Sequence, residues 1–328
     1  MGFWSMFGKK PKPEKRMAIW QCKNNPLIPL GKEGQWDEVW ATWASIVRLN
    51  PKDWRIYYTG RDGVGHLRIG LAFSEDGITW EKYRNNPILE VSPSGFWDSL
   101  YVYGPIVWRE STSWKMIFTG CDAFESSHYQ VGLASSPDGI SWKKFEGNPV
   151  FADPNPANMN KFGQHETEGW GLIKDEGEYY LFYNPVSRKP RQVWIAHSTD
   201  LIAWRPVSTR PILPSTGFSW QLGYMKYCGW PFGREDSMYL FASVSNARYT
   251  KSRIGLWRIQ GSLSSIKYKE FLGYITEAST GWCEREVDTP YVLEDTESKK
   301  LFCYYSGRSR SGEWNEGLAF FKLEELEL

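Results

Sequence analysis

Histidine is scarce in this chain, with four among 328 residues, and no HExxH metal motif, P-loop or strand-linked GxGxxG accompanies them. That removes the common zinc-hydrolase and nucleotide-binding signatures. No run of about 18 apolar residues exists, so no transmembrane helix is predicted. The five cysteines are an odd number without a CxxC spacing. They read as reduced thiols packed in sheets, and neither zinc nor a disulfide framework is predicted. Net charge is only +1, from 39 basic and 38 acidic residues, so no overall field favours nucleic acid. The first sixteen residues, MGFWSMFGKKPKPEKR, lack the apolar core of a secretory signal. They predict a flexible basic tail (1–16) before a single domain (17–328), in a cytoplasmic protein without a cofactor.

Aromatic residues are abundant instead, at 16% of the chain with 19 Trp. They suit β-sheet packing and the stacking of sugar rings. Their arrangement is periodic. IGLAFSEDGITWEKYRNNPIL starts at Ile69, VGLASSPDGISWKKFEGNPVF at Val131 and VWIAHSTDLIAWRPVSTRPIL at Val193, each 62 residues after the last. Asp76, Asp138 and Asp200 therefore align, as do Trp80, Trp142 and Trp204. The DG dipeptides mark tight turns, because both residues accept positive φ at low cost. The following Trp reads as a structural clamp.

Each repeat parses into an inner strand (ASIV, GPIV, GLI), a second strand (WRIYYTG, WKMIFTG, YYLFYN), a third before the DG turn and a short fourth. Two degenerate copies follow, and the last lacks a fourth strand. Ile19–Cys22 followed by NNPLI matches Trp80–Ile88, so the first strand in sequence is predicted to complete the last sheet. The prediction is an all-β, five-bladed β-propeller with four-stranded blades, closed by its N-terminal strand. Closure removes exposed sheet edges.

Inner strands of such a fold line a central funnel. Counting back from the second strand gives one residue per repeat at its mouth: Trp43, Tyr103, Glu168, Tyr227 and Asp288. Aromatic faces stack on sugars and carboxylates serve acid–base chemistry on glycosidic oxygens. Glu286 lies two residues before Asp288 on the same strand face, and Glu166 stands likewise to Glu168. Trp170 and His165 flank Glu168. The turns after the second strands carry Arg61, Arg188, Arg191, Arg248, Arg253, Arg308 and Arg310. Arginine pairs bidentately with carboxylate or phosphate, so these turns suit an anionic sugar or phosphate, with Asp62 and Asp122 as competing partners.

The repeats over residues 17–324 and the stretch EGWGLIKDEGEYYLFYN from Glu168 resemble the five-bladed propeller glycosidases, glycoside hydrolase families 43, 32 and 130. The stretch is similar to the third-blade signature of family 43, with Trp170 in place of the usual Pro. The resemblance implies that Glu168 is a general acid. It also implies acids in the first two blades, where this chain has Trp43-Ala44-Ser45-Ile46 and Ile106. Asp37 and Asp98, in the repeated motifs QWD and FWD, are the nearest candidates for those roles. Asp288 is another. No ligand cluster suggests the channel calcium of some relatives.

Three readings follow. The first is a glycosidase acting on an oligosaccharide or smaller sugar through Glu168 with Asp288, Asp98 or Asp37. Trp43, Tyr103, Trp170, Tyr227, His165, Glu286, Arg61, Arg188, Arg248 and Arg308 would then bind substrate. The second is a non-catalytic carbohydrate-binding propeller. The third is a phosphate-using phosphorylase or transferase.

Overall fold

In the structure, a computed structural model, the described residues are 19–122, 128–160, 162–164, 166–186, 191–213, 224–227, 229–234, 237–246, 251–263, 265–277, 279, 281–322 and 324. Their regular structure is β-strand apart from short 3-10 turns at Pro156–Asn158 and Gly281–Cys283. None of the described helices is long and apolar enough to cross a membrane. The predicted basic tail lies outside the described residues.

Strand β1 spans Ile19–Gln21. The first antiparallel meander then comprises β2 (Trp40–Asn50), β3 (Asp53–Arg61), β4 (Leu67–Ser74) and β5 (Glu81–Lys82). The second comprises β6 (Tyr101–Glu110), β7 (Ser113–Cys121), β8 (Gln130–Ser136) and β9 (Lys143–Lys144). The third holds β10 (Thr167–Asp175), β11 (Glu178–Pro185), β12 (Trp194–Ser198) and β13 (Arg205–Pro206). In the fourth the inner strand is broken. Strands β14 (Tyr224–Tyr227) and β15 (Pro231–Arg234) both pair with β16 (Ser237–Ser245), which continues to β17 (Ser252–Ser262) and β18 (Ser265–Glu277). The last has β19 (Glu286–Asp295), β20 (Lys300–Arg308) and β21 (Trp314–Lys322), and β1 pairs antiparallel with β21 through Ile19↔Phe321. The N-terminal strand thus occupies the place the sequence assigned to it.

Short parallel pairings, Trp40↔Trp314 with Ala41↔Asn315, and Leu67↔Tyr101, join the last, first and second meanders into one sheet path. Apolar side chains fill the layers between meanders. Tyr57, Ile69 and Leu71 of the first, for example, pack against Val102, Val107, Met116 and Phe118 of the second. Burial of such side chains stabilises by about 1.5–3 kcal/mol each.

The DG turns act as the sequence implied. Asp76, Asp138 and Asp200 each accept two backbone N–H groups of their own turn, at 2.7–2.8 Å. The turns also dock on the preceding meander. Tyr57 donates to the Gly139 carbonyl at 2.9 Å, and Tyr304 donates to the Gly77 carbonyl at 2.8 Å.

Candidate functional site

Register shifts interrupt the inner strands at one level: between Thr42 and Ser45, Tyr103 and Ile106, Gly169 and Gly171, and Asp288 and Tyr291. Three of these bulges turn on a positive φ, at Trp43 (53°), Gly104 (60°) and Thr289 (42°). Glycine meets that demand freely at 104, whereas Trp43 and Thr289 must be held in it. The bulges tie neighbouring meanders together. The N–H groups of Trp43, Gly104 and Gly169 donate to Ser306 Oγ (3.1 Å), Thr59 Oγ1 (3.0 Å) and Thr119 Oγ1 (3.3 Å) on the second strand of the meander before.

Strand pairing with equivalent positions of the second strands defines a column of inner-strand residues near this level. Thr42 faces Thr59, Tyr103 faces Thr119, Glu168 faces Asn184, Tyr227 faces Ser243 and Asp288 faces Ser306. The predicted column is thereby corrected at one place. The first meander contributes Thr42, and Trp43 stands one residue on, at its bulge. Counting along the chain missed this because bulges add residues that pairing does not count.

Glu168 sits at the centre of a charged and aromatic cluster and is only 5% exposed. Its Oε1 accepts the Tyr103 hydroxyl at 2.7 Å, and its Oε2 lies 2.5 Å from Arg191 Nη1. The Arg191 guanidinium in turn stacks 4.4 Å from the Tyr227 ring. Burial opposes the Arg191 charge, but Glu168 and the surrounding phenols outweigh it and raise its pKa. Burial, then the Glu168 charge, hold the Tyr103 phenol well above its ordinary value. It stays a donor to Glu168.

A second cluster surrounds Asp288, which is fully buried. Lys226 Nζ lies 2.6 Å from Asp288 Oδ2 and also bonds Glu286. Arg308 reaches Glu286 at 3.4 Å. Burial raises the Asp288 pKa, and Lys226 offsets only part of that while Glu286 adds to it. Two carboxyls of one column therefore differ: Glu168 is bound to a guanidinium, and Asp288 is driven towards its protonated form.

Aromatic rings connect the clusters. Trp43 lies 5.4 Å from Tyr103 and 5.8 Å from Trp170, which lies 5.1 Å from Tyr227. Trp40 and Trp314 extend the group on one side, Tyr101 and Tyr129 on the other. Trp43, Gly104, Pro105, Trp170, Trp230 and Pro290 close the axis around a cavity of about 20 Å³, room for little more than one water. Six buried polar atoms here have no hydrogen-bond partner among the described residues: Thr42 Oγ1, Trp43 Nε1, Trp170 Nε1, Ser243 Oγ, Asp288 Oδ1 and Glu316 Oε1. Such atoms are costly in a folded protein unless water or a ligand reaches them.

The structure does not bring Asp37 and Asp98 to this site, which corrects their proposed catalytic role. Asp37 accepts Tyr58 at 3.0 Å and Lys82 of β5 at 2.5 Å; Asp98 accepts Lys144 of β9 at 2.5 Å. Their lysines come from the outermost strands, so these acids latch each meander together at its outer side. The preceding Trp36 and Trp97 lie where only glycine fits, against Gly60 and Gly70, and against Gly120 and Gly132. Arg61 covers the Trp40 ring at 5.0 Å. His165, Arg188 and Arg248 lie outside the described residues. Lys226, Thr42 and Glu316 were not singled out from sequence. Lys226 was readable as the neighbour of a column residue, and Glu316 as an acid at a repeat position that is otherwise aliphatic.

Residues 38–226 match the family described as beta-1,4-mannooligosaccharide phosphorylase, glycoside hydrolase family 130. An uncharacterized protein of Mycobacterium tuberculosis is 22% identical over 62% of this chain and 66% of its own length, so the chain spans just under two thirds of that relative. A beta-1,2-mannobiose phosphorylase of Thermoanaerobacter sp. is 24% identical over 69% of this chain and 72% of that protein. The solved structure of the beta-1,2-mannobiose phosphorylase of Listeria innocua, in complex with beta-1,2-mannobiose, superposes with a TM-score of 0.69 at 14% identity, covering 95% of this chain and 98% of that one. At that identity the likeness establishes a β-propeller-like fold.

Proposed function

Because the chain belongs to glycoside hydrolase family 130, we propose that it is a five-bladed propeller that cleaves a β-linked mannoside over the Thr42–Tyr103–Glu168–Tyr227–Asp288 column. Support for five blades comes from the small axial cavity, whose lining draws on five inner segments: Trp43, Gly104, Trp170, Gly229 and Pro290. The observation that carries the chemistry is the contrast between the two column carboxyls. A buried Asp288 whose pKa is raised by burial suits proton donation to a glycosidic oxygen. Glu168, ion-paired to Arg191, suits acceptance of sugar hydroxyl protons in place of the acid role implied by family 43. Trp43, Trp170 and Tyr227 would supply the stacking surface. In the cleavage step, the bond between the anomeric carbon and the glycosidic oxygen breaks as the Asp288 proton passes to that oxygen, while a phosphate oxygen, or a water that loses a proton to solvent, bonds to the anomeric carbon.

The test is turnover of β-1,2- and β-1,4-mannobiose, with and without phosphate, by the parent, Asp288→Asn and Glu168→Gln. Turnover lost in Asp288→Asn by a factor of 100 or more supports the assignment. Undiminished turnover in that variant overturns it. Release of mannose 1-phosphate identifies phosphorolysis, and free mannose alone identifies hydrolysis.

A second reading, binding without catalysis, is favoured by the depth of both acids, 5% and 0% exposed and each already held by a cation. Mannobiose binding without product would support it.

A further inference from the structure

Glu316 breaks the repeat. Its equivalents opposite Thr59, Thr119 and Ser243 are Ile69, Val131 and Ile254, and Val193 fills the same place in the third meander. Glu316, opposite Ser306, is fully buried among them as the sole acid. Burying a carboxyl at an aliphatic position is unfavourable unless it has specific partners. Glu316 has one: its Oε2 accepts the Ser306 hydroxyl at 3.2 Å, the nearby backbone N–H groups of Trp43 and Ala44 favour its charge, and its Oε1 has no hydrogen-bond partner among the described residues.

The adjoining bulge is equally unusual. At two other junctions the residue after the bulge is proline, Pro105 or Pro290, which has no N–H to satisfy. Here it is Ala44. The third junction, Gly169–Trp170 opposite Val131, also keeps an amide but no acid. An amide alone therefore does not call for Glu316. What this junction adds is a large side chain, Trp43, in the left-handed conformation (φ 53°). Ser306 Oγ also receives the Trp43 N–H and bonds Thr289 Oγ1 at 2.7 Å. Thr289, itself left-handed, follows Asp288 directly. One buried carboxyl thus ends a network that reaches Trp43 on one side and the residue beside Asp288 on the other.

We propose that Glu316 is a positioning residue for the sugar site, holding Trp43 in its left-handed turn so that the indole lies against Tyr103 and Trp170. As a statement about sugar binding this rests on the function proposed above. As a statement about Trp43 it does not.

The experiment compares the parent, Glu316→Gln, Glu316→Val and the double variant Ala44→Pro/Glu316→Val, which copies the Pro105 and Pro290 junctions. Each is made with and without Trp43→Phe, and the near-UV circular dichroism difference isolates the Trp43 signal. The expected result is loss of at least half of that signal in Glu316→Val, its retention in Glu316→Gln, and a folded double variant that still lacks it. The dissociation constant for mannobiose should rise tenfold or more in Glu316→Val and stay within about threefold in Glu316→Gln. A parent-like Trp43 signal in Glu316→Val, or in the double variant should the single one not fold, overturns the proposal. Should the parent bind no mannoside, the proposed function fails, and the Trp43 signal still decides the role of Glu316.

Discussion

Arg191 and Glu168 form an ion pair of 2.5 Å in which the guanidinium also sits over the Tyr227 ring, 4.4 Å from its centre. The pair ties a turn to an inner strand at the level where sugar chemistry is proposed. Arg191→Met should leave the carboxylate buried and unpaired and lower stability by about 3–5 kcal/mol. Glu168→Gln in the same chain should recover about 1–3 kcal/mol of that loss. Urea unfolding of the four proteins in this cycle measures both, and strict additivity would show that the pair is not coupled.

Asp98 offers the opposite case, a buried acid serving the frame. Asp98→Asn weakens its contact with Lys144, and a loss of about 2–3 kcal/mol is expected, with unchanged kcat/KM for whatever substrate the parent accepts. A thermal melt and a rate measurement on the same preparation check the two halves.

The docking of each DG turn on the meander before it predicts two independent losses. Tyr57→Phe and Tyr304→Phe each remove a buried hydroxyl that donates to a turn carbonyl, and should cost about 1 kcal/mol apiece. The sites share no partner, so the double variant should add to within about 0.5 kcal/mol in urea titrations.

Acid sensitivity should reside partly in the turns themselves. The backbone N–H of Ser141, then that of Ile140, hold the Asp138 carboxyl well below its ordinary 3.8, and Asp76 and Asp200 are lowered in the same way. A depressed folded-state value means stability that is present above pH 3.8 and lost as pH falls through the folded value. Asp138→Asn should therefore narrow the gap in melting temperature between pH 6 and pH 3. An unchanged gap would remove Asp138 from the acid response.

The repeat, the turns and the displaced first strand were legible because they recur at fixed spacing, and recurrence survives without knowledge of contacts. Trp43 escaped by one residue, since its bulge is visible only in the pairing. The motifs ending in Asp37 and Asp98 looked catalytic because they lie nearest the places where the family resemblance implies acids. A covarying pattern in the sequence argued otherwise. The last meander has Cys283 where the others have Asp37 and Asp98, and it has Gln21 where they have Lys82 and Lys144. Acid and lysine vanish together, as latch partners do. The turn arginines suggested an anion site, yet Arg191, Arg308 and Arg310 are matched by Glu168, Glu286 and Glu284 in the fold. Partners that lie some twenty or more residues apart leave no local trace.

Ile19 pairs with Phe321, so a three-residue strand waits for a partner made about 300 residues later. At about 5–20 residues per second that delay is on the order of 15–60 s. Throughout it Trp20, half exposed even in the finished fold, has no strand to lie on. The seam between β1 and β21 is the step a nascent chain completes last, and the interval before it forms is when chaperones have most to protect.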